Sequence, residues 1–452
     1  MNFGAYLESC IRKRNLSINS LSRECNINRG GLYSVFKQQR KLREDQLFNL
    51  IAKIGLTPVE TDKLTDLFFQ EFYGKEEFEK LTFLMKWMQA PLTMKAPSED
   101  EDEAKVSVVQ ALQTFLAANS VVTTNFPFSL ENVDRLFYNA LQQGQISAVT
   151  HLVYLDEKDD YKHNYSAIFK SLKYMFLLQF PRYCWRAYNP AKVDTLLPFF
   201  AIGDQTAVLF SKSSAVTLKE KSAIQTLLVS AQKQLNHCKT LGQHPMDIMQ
   251  IKDSYQKGLV RSGRMIEIQS YLCIAPFADR ETMQNAVKPD IPNKEALVEI
   301  AYSHYQSLFS AMDYMEFTTE NGLKEFARTG NIEEIPDLFV NPLDIPHRIR
   351  VLKKIASAVA DNHLYILDKN KITIPMGLSI EKAMNKVFFN GFDPSKESFF
   401  VSDLFFAELD DLSLVNALTD LTEYWIKSRK VCSKDYSVQF VNNIISGLEC
   451  LV

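Results

Sequence analysis

The sequence predicts an all-α head carrying a helix–turn–helix, followed by a large α+β region. Three observations predict it. Up to about residue 73, apolar residues recur at helical spacing between residues that cap helices. From residue 106 onward, helical stretches alternate with short runs rich in Val, Ile, Phe and Tyr. Between them lies Pro97-Ser98-Glu99-Asp100-Glu101-Asp102-Glu103, with five consecutive acids and no apolar side chain beyond the proline. Such a run has nothing to bury and reads as a solvated linker. The expected division is residues 1–74 as head, 75–105 as helical connector and acidic linker, and 106–452 as the α+β region, with room for two subdomains.

Within the head, Phe3, Leu7, Cys10 and Ile11 mark a first helix. Ser17 can cap a second, whose inward residues are Leu21 and Cys25. Asn26-Ile27-Asn28 then makes a turn with Ile27 as its apolar plug, and Asn28 can cap a third helix that buries Leu32, Val35 and Phe36. The small residue Ser22 stands where these two helices come closest. Leu47, Leu50, Ile51 and Ile54 mark a fourth helix, stopped by Gly55. Thr57-Pro58-Val59-Glu60 has the spacing of a capping box with proline at the first helical position, and opens a fifth helix burying Leu64, Leu67 and Phe68.

Five short helices, with the motif as the second and third, resemble the lambda-repressor class of helix–turn–helix transcriptional regulators, the xenobiotic-response-element type. The resemblance covers roughly residues 1–70. It implies that the third helix lies in the major groove of double-stranded DNA while the second crosses the backbone. Charge agrees: residues 1–43 carry nine Lys or Arg against two Glu, although the whole chain is at −3. A basic head on an acidic remainder suits phosphate contact.

Two positions depart from the family. Ile18 stands where the family often has Gln to help hold a phosphate. Gly30 and Gly31 occupy the first turn of the recognition helix, where side chains usually face bases; glycine weakens a helix but lets backbone approach DNA closely. Base reading is therefore assigned to Asn28, Arg29, Tyr33 and Ser34, and backbone holding to Lys37, Gln38, Arg40 and Lys41. Ser17, Gly30 and Gly31 complete the expected contact set. Because one short helix reads few base pairs, the protein is expected to act as a homodimer, with dimer contacts outside the head.

Beyond the linker, helices are expected at 106–118, 130–143, 165–180, 219–241, 246–259, 293–311, 320–328, 346–360, 412–427 and 436–448. Strands are expected at 146–155, 183–188, 265–274, 314–318, 386–389 and 398–401. Hairpins are expected at 197–202/206–211 around Gly203-Asp204, and at 363–367/371–375 around Asp368-Lys369-Asn370. The two hairpins, each with a helix before it, hint at two similar halves. Long chains joining such a head to a large C-terminal region resemble regulators of Gram-positive bacteria.

The search for chemistry returns little. There is no phosphate-binding glycine loop, no HExxH and no GxSxG. His237-Cys238 with His244 is the best metal candidate and a poor one, because adjacent helical residues point apart. Residues 257–264 are basic, with two glycines, and could grip an anion. No metal, cofactor or catalytic residue is assigned. Seven scattered cysteines without a CxxC pair, no signal-peptide core and no run of 18 apolar residues lead to the expectation of a cytoplasmic protein with reduced thiols and no membrane partner. The expected function is a sequence-specific DNA-binding regulator whose C-terminal region senses a small-molecule or peptide effector, dimerises, or both. The alternatives are an enzyme with an autoregulatory DNA-binding head, and a DNA-bound scaffold that recruits a protein.

Overall fold

Side-chain caps at residues 2, 17, 28 and 57 fix the first helices. The computed structural model describes residues 2–89, 120–126, 145–155, 161–178, 183–188, 197–210, 215–235, 239–242, 264–296, 314–333, 339–374, 377–391 and 405–452, with isolated positions at 137–143 and 298–303. Asn2, Ser17 and Asn28 each accept a bond from a first-turn amide of α1 (Phe3–Lys13), α2 (Ile18–Glu24) and α3 (Arg29–Phe36). Next comes α4 (Glu44–Ile54), stopped by Gly55 in the left-handed region at φ 69°. Thr57 and Glu60 close a reciprocal capping box on α5 (Pro58–Tyr73), and α6 (Lys75–Gln89) follows. Phe3, Leu7, Ile11, Leu32, Leu47 and Leu64 are buried between them. The expected N-terminal helical region is present.

This region is larger than the boundary at 74 allows, and it is not contiguous. The first of two compact units spans Met1–Met85 and takes in Asp420–Lys430. The reason is an aromatic face that α5 and α6 cannot cover themselves. Tyr424 fills it, with ring centroids 5.4 Å from Phe69, 5.8 Å from Phe78 and 6.2 Å from Tyr73. Its hydroxyl donates to Asp66 at 3.2 Å, and the Arg429 guanidinium lies 4.0 Å from the centre of the Phe48 ring. The acidic run at 97–103 lies outside the described residues.

The second unit holds two mixed sheets built to one plan. In the first sheet, β1 (Ser120–Thr124), β2 (Ile146–Tyr154) and β3 (Tyr183–Tyr188) run parallel in that order. On the free side of β1 an antiparallel meander follows: β4 (Phe199–Ile202), β5 (Thr206–Phe210) and β6 (Ala215–Leu218). An extra strand, β7 (Lys239–Gly242), pairs with β3. The second sheet repeats the plan. Its parallel strands are β8 (Met265–Ile268), β9 (Tyr314–Thr319) and β10 (Leu364–Leu367). Its meander is β11 (Gly377–Glu381), β12 (Lys386–Gly391) and β13 (Phe405–Asp410), attached to β8.

Helices fall in corresponding places. Between β2 and β3 comes α7 (Tyr161–Leu178), and after β6 comes α8 (Lys221–Leu235). The short α9 (Arg280–Ala286) follows β8; α10 (Glu320–Thr329) and α11 (Ile345–Ala360) lie between β9 and β10. After β13 come α12 (Leu412–Lys427) and α13 (Lys434–Glu449). The core of the second sheet packs Leu323, Phe326, Leu352, Ile355, Ile366 and Ile445 together. Phe199, Ala207, Ile224 and Leu227 do the same beside α8.

Two expectations are corrected. Residues 371–374 are in no strand: β10 pairs in parallel with β9, so 363–375 is not a hairpin. The counterpart of the β4–β5 hairpin is β11–β12. The helix expected at 219–241 stops at Leu235, and Lys239–Gly242 becomes β7. Expected helices at 106–118 and 246–259 and the strand at 398–401 lie outside the described residues.

Candidate nucleic-acid interface

Two short helices and their turn form the first part of the site. Asn26 adopts φ 52°, a left-handed conformation that asparagine tolerates better than most residues. The Ile27 amide then bonds back to Ser22 O at 2.9 Å, and the Ile27 side chain is buried. Ser22 is buried as well, its hydroxyl donating to Asn19 O. On the inner side of α3, Leu32, Val35 and Phe36 are in the core. A residue that sequence reading passed over sets how closely α1 meets α3. A Cβ at Gly4 would lie 2.8 Å from Phe36 O and 3.0 Å from Phe36 Cα, and would strike Val35 O. No pattern in the sequence singles this glycine out, because its partner lies about 30 residues away.

The outer side of α3 is polar. Asn28, Arg29, Gly30, Tyr33 and Lys37 are exposed. The Arg29 guanidinium sits 5.7 Å from the centre of the Tyr33 ring, within cation–π reach. Asn28 Oδ1 is engaged by the Gly31 amide, and the Ser34 hydroxyl donates to Gly30 O at 2.9 Å. Ser17 is exposed at the start of α2 and accepts from Ser20 N at 3.4 Å. Gly31 differs from the rest. It is buried, and a Cβ there would lie 2.9 Å from both Asn28 Oδ1 and Arg40 Nη1.

The four residues expected to hold DNA backbone separate into two pairs. Gln38 Nε2 donates to Glu71 Oε1 at 2.9 Å, and Lys41 Nζ donates to Glu71 O at 3.0 Å. The Glu71 carboxylate also accepts from the Phe3 amide, so this one residue of α5 ties down the start of α1 through its side chain, and Gln38 and Lys41 after α3 through its carboxylate and its main-chain carbonyl. Lys37 and Arg40 are exposed and, like Arg23 and Arg29, form no ion pair among the described residues. Six other head cations do pair: Arg12 with Glu8, Arg14 and Lys13 with Glu60, Arg43 with Asp45, Lys53 with Glu24 and Lys75 with Glu79, whereas Lys63 lies over the Tyr6 ring. The Arg14 guanidinium, followed by the Thr57 amide, holds the Glu60 carboxyl down to about 2.

In the second unit two buried carboxylates are tied into the second sheet. Glu316 accepts from Cys273 N and Tyr314 Oη, and Glu267 accepts from Gln269 Nε2 and Ser379 Oγ. His151 is fully buried against Phe126, which pushes its imidazole down to about 4. An apolar cavity of about 40 Å³, lined by Ile274, Ala278, Met283, Val287, Val298 and Val340, is far below the size of an effector pocket. Among the described residues no group of three His, Cys, Asp or Glu could hold a metal ion, and no helix is long and apolar enough to cross a membrane. His237, Cys238, His244 and residues 257–263 lie outside the described residues. No protein-family model matches the chain, and no curated protein matches it.

Proposed function

We propose that this protein is a sequence-specific DNA-binding regulator, with α2 and α3 as its helix–turn–helix and α3 as the recognition helix. The observation that carries the reading is that Arg29 on α3, Lys37 and Arg40 just after it, and Arg23 on α2 form no ion pair among the described residues, whereas most other cations of the head do. Cations left without carboxylates on and around one polar helix face suit a polyanion. That α3 has its exposed side chains at its first turns, behind a cap at Asn28, suits base contact from a helix start. The C-terminal region takes the role of effector sensing, dimerisation or both, and two copies would pair two heads on a repeated half-site.

Selection from random duplexes, followed by binding isotherms on the selected and scrambled sequences across a salt series, tests this reading. Arg29→Ala should flatten the preference for the selected sequence, since a bidentate Arg–guanine contact discriminates by about 1–3 kcal/mol. An intact chain that binds no duplex at low salt, with candidate effectors present, overturns it. Sedimentation of the bound complex reports the copy number.

A further inference from the structure

We propose that Arg40 reads a guanine base edge, and that Gly31 is glycine to seat it. This rests on the reading of α3 as a recognition helix. From residue order alone, Arg40 belongs with the basic residues after α3 that would hold phosphates. The structure separates it from them. Gln38 and Lys41 are drawn to Glu71 on α5. Arg40 does not join them: its Nη1 is one of the two atoms nearest to where a side chain at residue 31 would begin. The other is Asn28 Oδ1, at the same 2.9 Å. The guanidinium is therefore beside the first turn of α3, next to the cap, although Arg40 lies beyond the helix end at Phe36.

Glycine leaves room for this seat. A Cβ at residue 31 would push both the guanidinium and the Asn28 side chain out of their present positions, since real Cβ contacts do not come that close. Gly30, its neighbour, imposes no such condition: a Cβ there would meet only Asn28 Oδ1, at an ordinary 3.7 Å. On a helical wheel residues 29 and 31 are about 200° apart. The Arg29 guanidinium on Tyr33 and the Arg40 guanidinium over Gly31 thus stand on either side of exposed Gly30 and half-buried Ser34. An arginine at the start of a recognition helix, free of any carboxylate, has the planar fork that pairs with guanine O6 and N7.

The test uses the full chain, its selected operator and a set of duplexes each changed at one base pair. Arg40→Ala should erase a five- to about 150-fold preference for G·C at one position and leave the other positions alone. Arg40→Lys should not restore it, because an ammonium cannot make the two parallel bonds. Gly31→Ala should lose preference at that same position, and Gly31→Ala with Arg40→Ala should lose no more than either alone. Full rescue by Arg40→Lys, or equal weakening on every duplex by Arg40→Ala, overturns the proposal and makes Arg40 a phosphate contact. A wild-type chain without sequence preference overturns the recognition-helix reading itself. If Gly31→Ala unfolds, the two Arg40 variants decide alone, since that side chain is exposed.

Discussion

Replacing Tyr424 with Ala should loosen the N-terminal helices, although the two lie more than 330 residues apart in sequence. Tyr424 is fully buried, with three aromatic neighbours between 5.4 and 6.2 Å and the Lys430 ammonium 5.6 Å from its ring centre. Truncating a large buried ring costs about 3–5 kcal/mol. Its hydroxyl also helps keep the Asp66 carboxylate charged: burial raises that carboxyl, whereas Lys430 and the Tyr424 hydrogen bond oppose the rise. The total is about 4 kcal/mol, a large part of what holds a domain of this size. Hydrogen exchange on the full chain reads it directly. Amides of residues 64–84 should exchange about a thousandfold faster where opening of the first unit governs exchange, whereas those of residues 351–359 keep their protection. Tyr424→Phe should give a much smaller change, about 1 kcal/mol, because it keeps the rings and loses only the bond to Asp66. Unchanged protection over 64–84 in Tyr424→Ala would refute the assignment of residues 420–430 to the head.

Three further outcomes are expected. Gly4→Ala should destabilise the head by about 1–3 kcal/mol in thermal melts despite alanine's better helix propensity, because the neighbours in the way are backbone atoms of α3; a stabilised variant would mean that α1 and α3 are not this close. Since folding holds the Glu60 carboxyl at about 2, below its usual 4.5, its contribution is complete above about pH 4.5 and is lost as pH falls toward 2; Arg14→Ala should flatten head stability across that window in acid titrations. Burial holds His151 near 4 instead of 6.5, so the unfolded chain takes up the proton first and the second unit should lose about 3 kcal/mol between pH 6.5 and 4; a His151→Gln variant that keeps the same acid slope would contradict this.

The head was readable because its signals are local. Ser17, Asn28, Thr57 with Glu60, and Gly55 each act within four residues of themselves, and each stands where expected. What escaped was long-range. Nothing near Gly4 announces Phe36, and nothing in the α12 sequence announces Phe69. In the second unit Asp368-Lys369-Asn370 does make a turn, with the Lys371 and Ile372 amides bonded to Asp368 O. A turn says that the chain reverses, not which strand receives it, and β10 went to β9. Strand β11 is buried at all five positions, so it lacks the alternation by which a half-buried strand is noticed. On α3, sequence placed Asn28, Arg29 and Tyr33 on the exposed face but could not foresee that Gly31 would be covered, or by what.

The split composition of the head also has a consequence in time. Residue 85 leaves the ribosome well before residue 420, and at about 5–20 residues per second the interval is roughly 17–70 s. Throughout it, the aromatic face of Phe69, Tyr73 and Phe78 has no Tyr424 to close over it. The nascent chain therefore carries an exposed sticky surface that a chaperone would recognise, and the head matures last rather than first. Any chain cut short by a nonsense codon or a protease before residue 420 would lack a finished head. Damaged fragments would then be poor competitors for whatever the intact protein binds.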